Sequence, residues 1–152
     1  MGAVGHLDIE LYKNLFPDSP FLIVKKQGKS VPSTKSGGME IKMNVIELIE
    51  KTGFSVIHVA EGAEKTEITK AYCCDLLSIA MSRVPEGAAW VTVMSNLNTL
   101  AVASLTEAAC VIIAEGSAID GPVREKAKQQ DITLLSTELP VFDAALKVYN
   151  EL

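Results

Sequence analysis

From Trp90 onward, short β-branched runs alternate with helix-period segments, and this order constrains the fold more than any other feature. "AAWVTVM", "CVIIAE" and "ITLLS" read as buried strands, and "NTLAVASLTEA", "GPVREKAKQQ" and "PVFDAALKVYNEL" as the helices between and after them. Strands separated by helices run parallel and are covered on both faces, because right-handed crossovers place helices on the two sides of the sheet. The expectation is an α/β fold, a three-layer α/β/α arrangement with a mostly parallel sheet. Upstream, "MNVIELIEKTG" places Val45, Leu48 and Ile49 on one helical face and stops at Gly53. "FSVIHVA" and "ITKAYCC" read as strands joined by the turn "EGAEKTE". "DLLSIAMSRV" reads as a helix with Asp75 as its N-cap and Leu76, Ile79, Ala80 and Val84 facing inward.

Residues 1–38 differ. "LDIELYKNLF" suits a short helix and "FLIVKK" a short strand, and "QGKSVPSTKSGG" has linker composition. The expected boundaries are an arm or linker over 1–38, serving as a leader, an appended arm or a docking segment, and a compact domain over 39–152. Gly28-Lys29-Ser30 imitates the end of a phosphate loop. The glycine needed five residues earlier is Ile23, and Pro32 stands where a helix should follow.

Charge narrows the partners. The arm carries five lysines against three carboxylates, +2, and the remainder nine basic residues against sixteen acidic ones, −7. A domain so acidic, without a basic stripe, is not expected to bind nucleic acid. No apolar run reaches membrane-spanning length and no signal-peptide pattern opens the chain. Three cysteines, Cys73, Cys74 and Cys110, make no disulfide framework. A cytoplasmic location is expected, with no membrane partner.

In open parallel sheets ligands sit outside the carboxyl ends of the strands. Ser95, Asn96 and Asn98, Glu115 and Gly116, and Ser136 and Thr137 fall at three such exits. Helix N-termini there favour a small anionic or nucleotide-like ligand oriented by Ser and Asn side chains. The same residues also suit structural work. Asn98 is positioned to cap the helix that starts at Thr99, Ser136 or Thr137 the last helix, and Gly116 to make a turn. Asn96 would then be free for a ligand. Glu115 would repel a dianion and suits a ribose hydroxyl or an amine.

No catalytic set emerges, since His6 lies on the arm and His58 within an apolar strand. Neither histidine stands in a ligand-spaced pair, so no metal is expected, and Cys73-Cys74 reads as two buried structural thiols. No cofactor is implied.

"EKTEITKAYCCDLLSIAM", "MSNLNTLAVASL", "CVIIAEG" and "ITLLST" together resemble, in order over about residues 43–149, the DRTGG domain family. That family is similar to the N-terminal domain of HPr kinase/phosphorylase. Tyr72, Asp75 and Ser78 match its Tyr-x-x-Asp-Leu-Leu-Ser block. Its Asp-Arg signature is replaced by Glu64 and Lys65, followed by Ile68, Thr69 and Lys70. Its Thr-His-x-Asn block is Ser95-Asn96-Leu97-Asn98, without the histidine, and its Gly-Gly is Glu115-Gly116. The resemblance implies an α/β fold like that N-terminal domain and a non-catalytic regulatory or ligand-sensing module, acting as a homodimer or with a partner enzyme. Asp75 and Ser78 would then contribute to a dimer contact or switch. A small phosphate-handling enzyme and a pure dimerisation scaffold are the alternatives. Kinase activity is not implied, because the kinase relatives carry their phosphate loop in a separate domain.

Overall fold

The computed structural model describes residues 42–152. The expectations for the arm, its helix and strand, Gly28–Ser30 and His6 lie outside these residues. The described elements are α1 (Val45–Thr52), β1 (Ser55–His58), β2 (Lys70–Cys73), α2 (Leu77–Arg83), β3 (Ala88–Thr92), α3 (Leu97–Leu105), β4 (Cys110–Ile113), α4 (Gly121–Gln129), β5 (Leu134–Ser136) and α5 (Val141–Glu151). They form one sheet of order β1-β5-β4-β3-β2, in which β2 to β5 are parallel and β1 is antiparallel to β5.

The period of two along the strands builds two cores. Ala89, Val91, Cys110, Ile112 and Leu135 point to the side where α1 and α5 supply Val45, Leu48, Ala144, Ala145 and Val148. Ala88, Trp90, Val111, Ile113 and Leu134 point to the side of α2, α3 and α4, and meet Ala80, Leu100, Ala103, Val123 and Ala127. The fold is therefore α/β in three layers, with β3 and β4 buried along their whole length.

The antiparallel edge brings the end of β1 and the start of β2 to the same side of the sheet. β1 and β2 lie at opposite edges, about 19 Å apart at four strand spacings of about 4.8 Å. Residues 59–69 bridge that width directly: because β1 is antiparallel, it ends where β2 begins, at the amino ends of the parallel strands. The connector is bonded along its course. Both carboxylate oxygens of Asp131 accept from the Glu61 N–H at 3.1 Å, and Thr133 Oγ1 accepts from the Ala60 N–H at 3.0 Å. His58 Nε2 lies 3.2 Å from Asp131 Oδ1. Further along, the Val45 N–H donates to Thr66 O and the Ile68 N–H to Met43 O.

Local signals account for the helix ends. Asn44 and Glu47 form a reciprocal capping box on α1 at 2.9 and 3.0 Å, and Gly53, at φ 69°, closes the helix in the left-handed region. Asp120 caps α4 with Pro122 in its first turn. No helix among the described residues is long and apolar enough to cross a membrane.

Candidate functional site

Because β2 to β5 are parallel, their exits share one rim. Asp75 follows β2, Ser95, Asn96 and Asn98 follow β3, Glu115 and Gly116 follow β4, and Thr137 follows Ser136, the last residue of β5. The arrangement differs from the sequence expectation in how its polar side chains are used.

Asn96, not Asn98, caps α3: its Oδ1 accepts from the Thr99 N–H at 3.0 Å. The helix begins at Leu97, two residues earlier than the apolar pattern suggests, so Asn98 lies inside its first turn and is exposed. Asp75 is not the cap of α2 either. Leu76 holds that position with no side-chain bond. The Asp75 carboxylate instead accepts from Thr92 Oγ1 at 2.7 Å and from the Val93 N–H at 2.9 Å. Pairing of Cys73 with Val91 brings Thr92 beside Asp75, a neighbour no local pattern reveals. Leu76 and Ile79, expected inside, are 56% and 42% exposed, because this short helix buries only Ala80 and packs mainly against α3.

The β4 and β5 exits are bonded to each other. The Glu115 N–H donates to Leu139 O at 2.8 Å and the Gly116 N–H to Thr137 O at 3.0 Å. Glu115 Oε1 accepts from the Val141 N–H at 2.9 Å, so this carboxylate serves the amino end of α5, where Ser136 or Thr137 was expected. Thr137 Oγ1 instead accepts from the Leu139 N–H within its own turn. Gly116, at φ 62°, takes the left-handed backbone that favours glycine, and a β-carbon there would meet only the movable end of the exposed Glu138 side chain. The place an anion would take at α5 is thus filled by the chain's own carboxylate.

The β3 exit is different. The first turn of α3 holds no acidic residue, and the Leu97 and Asn98 N–H groups have no partner among the described residues. Next to them, Ser95 Oγ is buried and unpartnered. A buried hydroxyl without a bond costs about 1–3 kcal/mol, so its retention calls for a physical reason.

Tyr72 is half-buried against the α2–α4 core, and burial is the main cause of its raised hydroxyl pKa, followed by Cys74. Ser78 is exposed on α2. The cysteines correct another expectation: Cys73 is exposed on the edge strand and Cys74 half-buried, and only Cys110 is buried. Burial pushes the Cys110 thiol up to about 12. An acid whose folded pKa is raised stabilises the fold fully below its unfolded pKa and loses that contribution as pH rises toward the folded value. Stability should therefore fall between about pH 9 and 12, with Cys110 adding about 1.4 kcal/mol per pH unit. Urea titrations across that range for the wild type and Cys110→Ala should show a shallower fall in the variant.

A cleft of about 690 Å³ lies at the other end of the sheet, the amino ends of the strands. Lys65, Glu67, Thr69, Glu86, Gly87 and Glu107 line it. Sequence reasoning did not find it, although Lys65 and Thr69 fall where the resemblance places the family's altered signature. Three carboxylates against one lining lysine make it unfavourable to anions, even with Glu67 paired to Lys42 at 3.2 Å.

No family model and no curated protein matches the chain. Among solved structures it is similar to the CBS and DRTGG domains of the regulatory region of Clostridium perfringens pyrophosphatase, complexed with the activator diadenosine tetraphosphate. The TM-score is 0.58 at 16% identity, over 75% of this chain and 53% of that one. The chain thus spans about half the length of that structure, and the likeness is one of fold.

Proposed function

We propose that residues 39–152 are a non-catalytic regulatory module of the DRTGG type, with residues 1–38 as an appended arm. The module senses a small anionic or nucleotide-like ligand at the exit of β3. One observation carries this reading: the buried, unpartnered Ser95 hydroxyl beside a helix N-terminus whose first turn holds no acidic residue, the Asp75 carboxylate on the preceding segment being engaged by Thr92 Oγ1 and the Val93 N–H. The Leu97 and Asn98 amides and the Asn98 side chain complete the donor set. Glu115, Gly116, Ser136 and Thr137 form the neighbouring wall of the rim, and Glu115 excludes a second anion there. The fold likeness to a regulatory region that binds diadenosine tetraphosphate supports the same class of ligand. The module acts as a homodimer or on a partner enzyme. Exposed Phe142, Leu146 and Tyr149 on α5, at 70%, 41% and 68%, support association, because large apolar side chains gain most from being covered.

Ser95→Ala separates the ligand reading from a structural one. In the free protein it removes an unsatisfied hydroxyl, so urea unfolding should show unchanged or higher stability, by about 1 kcal/mol. Titration with diadenosine tetraphosphate or inorganic pyrophosphate should show the wild type binding and the variant at least tenfold weaker. A probe at a hundred times its Kd should raise wild-type stability by about 2.7 kcal/mol. If no phosphate-bearing probe moves the wild-type melting curve, the sensing role fails. A monomer at all concentrations in ultracentrifugation would remove the homodimer.

A further inference from the structure

The Asp75 carboxylate, two residues before α2, begins a hydrogen-bond chain that runs to the proposed ligand loop. Thr92 Oγ1 donates to Asp75 at 2.7 Å and accepts from the Met94 N–H at 3.2 Å. Met94 O accepts from Thr99 Oγ1 at 2.7 Å, and Asn96 Oδ1 accepts from the Thr99 N–H at 3.0 Å. Ser95 lies between Met94 and Asn96, so both of its neighbours are held by this chain. Thr92 and Thr99 are buried at 0% and 1% exposure, where hydrogen bonds are shielded from competing water.

At the other end, α2 is weakly seated. It has seven residues, one of them buried, and its N-cap makes no side-chain bond. The segment leading into it is tied to β3 by the Asp75 carboxylate and by Trp90 Nε1, which donates to Cys74 O at 3.0 Å. The carboxylate that could have capped α2 is spent on the loop that carries Ser95.

We infer that Asp75 is a positioning residue that couples the Ser95–Asn98 loop to the seating of α2, so that ligand on the loop and order in α2 favour each other. The inference rests on the ligand reading above for what occupies the loop. The mechanical link is present without ligand. Coupling of this kind is reciprocal, so loosening either end loosens the other.

Amide hydrogen exchange on the free protein tests the link, with the Val111 amide, bonded to Thr133 O in the central strand, as the measure of global opening. Asp75→Ala should speed exchange at Met94 and Thr99, and at Ala80 and Val84 in and just after α2, at least tenfold beyond any change at Val111. Asp75→Asn keeps an oxygen that accepts both bonds and should stay within threefold of wild type. Thr92→Val cuts the chain in the middle without touching α2 and serves if Asp75→Ala fails to fold. Faster exchange at Ala80 and Val84 in Thr92→Val supports the coupling. Exchange raised at Met94 and Thr99 alone, or no further than at Val111, overturns it. Titration of the wild type with diadenosine tetraphosphate separately decides the ligand reading, so the two can fail independently.

Discussion

Replacing Trp90 with alanine should cost about 3–5 kcal/mol, the largest effect of any single truncation in this fold. Trp90 is the largest of the fully buried side chains, at 0% exposure in the middle of β3. It faces the core formed with α2, α3 and α4. The loss has two parts. Removing the indole leaves a cavity that neighbours fill only in part. It also strips Cys74 O of its donor, leaving a carbonyl unmatched in the β2–α2 segment. Trp90→Phe largely divides these, because it keeps most of the volume while losing the N–H. That variant should cost about 1–2 kcal/mol and should concentrate its effect in faster exchange across α2. Since Trp90 is the chain's one tryptophan, the comparison is read by circular dichroism in urea. The midpoint should fall while the slope stays that of the wild type. For a domain with roughly 5–15 kcal/mol of total stability, the alanine variant would be marginal at best.

Trp90 also shows which parts of the molecule can be read from sequence. The buried run "AAWVTVM" and its two successors are legible because parallel strands, covered on both faces, must be apolar throughout. Gly53 and Pro122 are legible because each acts on its own backbone. The failures at the rim have two causes. Asp75, Glu115 and Thr92 take partners from segments far along the chain: Asp75 from the end of β3, Glu115 from the first turn of α5. A cap is assigned from sequence by its distance to the next apolar repeat, and that repeat places the start of α3 two residues too late. Asn96 and Asn98 exchange roles for this reason alone. The rim itself was foreseeable from strand direction. Which of its groups remain available was not, because that depends on the hydrogen bonds between the β4 and β5 exits.

Gly87→Ala should cost about 3 kcal/mol, whereas Gly62→Ala should cost about 1 kcal/mol. Both glycines are left-handed, at φ 73° and 77°, so both variants carry the same backbone penalty. They differ in surroundings. Nothing lies within 4 Å of a β-carbon at Gly62. At Gly87 the added carbon would stand 2.7 Å from Thr69 Cγ2, 3.0 Å from Thr69 Oγ1 and 3.3 Å from Glu67 O. Thr69 cannot turn away without loss, because its Oγ1 donates to Glu86 O at 2.7 Å and its N–H to Gly87 O at 2.9 Å. The Gly87 N–H in turn holds Glu107 O at 2.9 Å. Three connectors therefore meet at this glycine, and displacing one disturbs all of them. The difference in urea midpoint between the two variants isolates the contact from the backbone penalty. The position also separates the two ends of the sheet. Gly87 belongs to the acidic cleft at the amino ends, and Ser95 to the rim at the carboxyl ends. Folded Gly87→Ala should bind diadenosine tetraphosphate within about twofold of wild type, since its disturbance enters β3 from the end remote from the Asp75–Thr92 bond. A tenfold loss of affinity in that variant would place the ligand in the cleft instead, where Lys65 is the one lining cation to receive it.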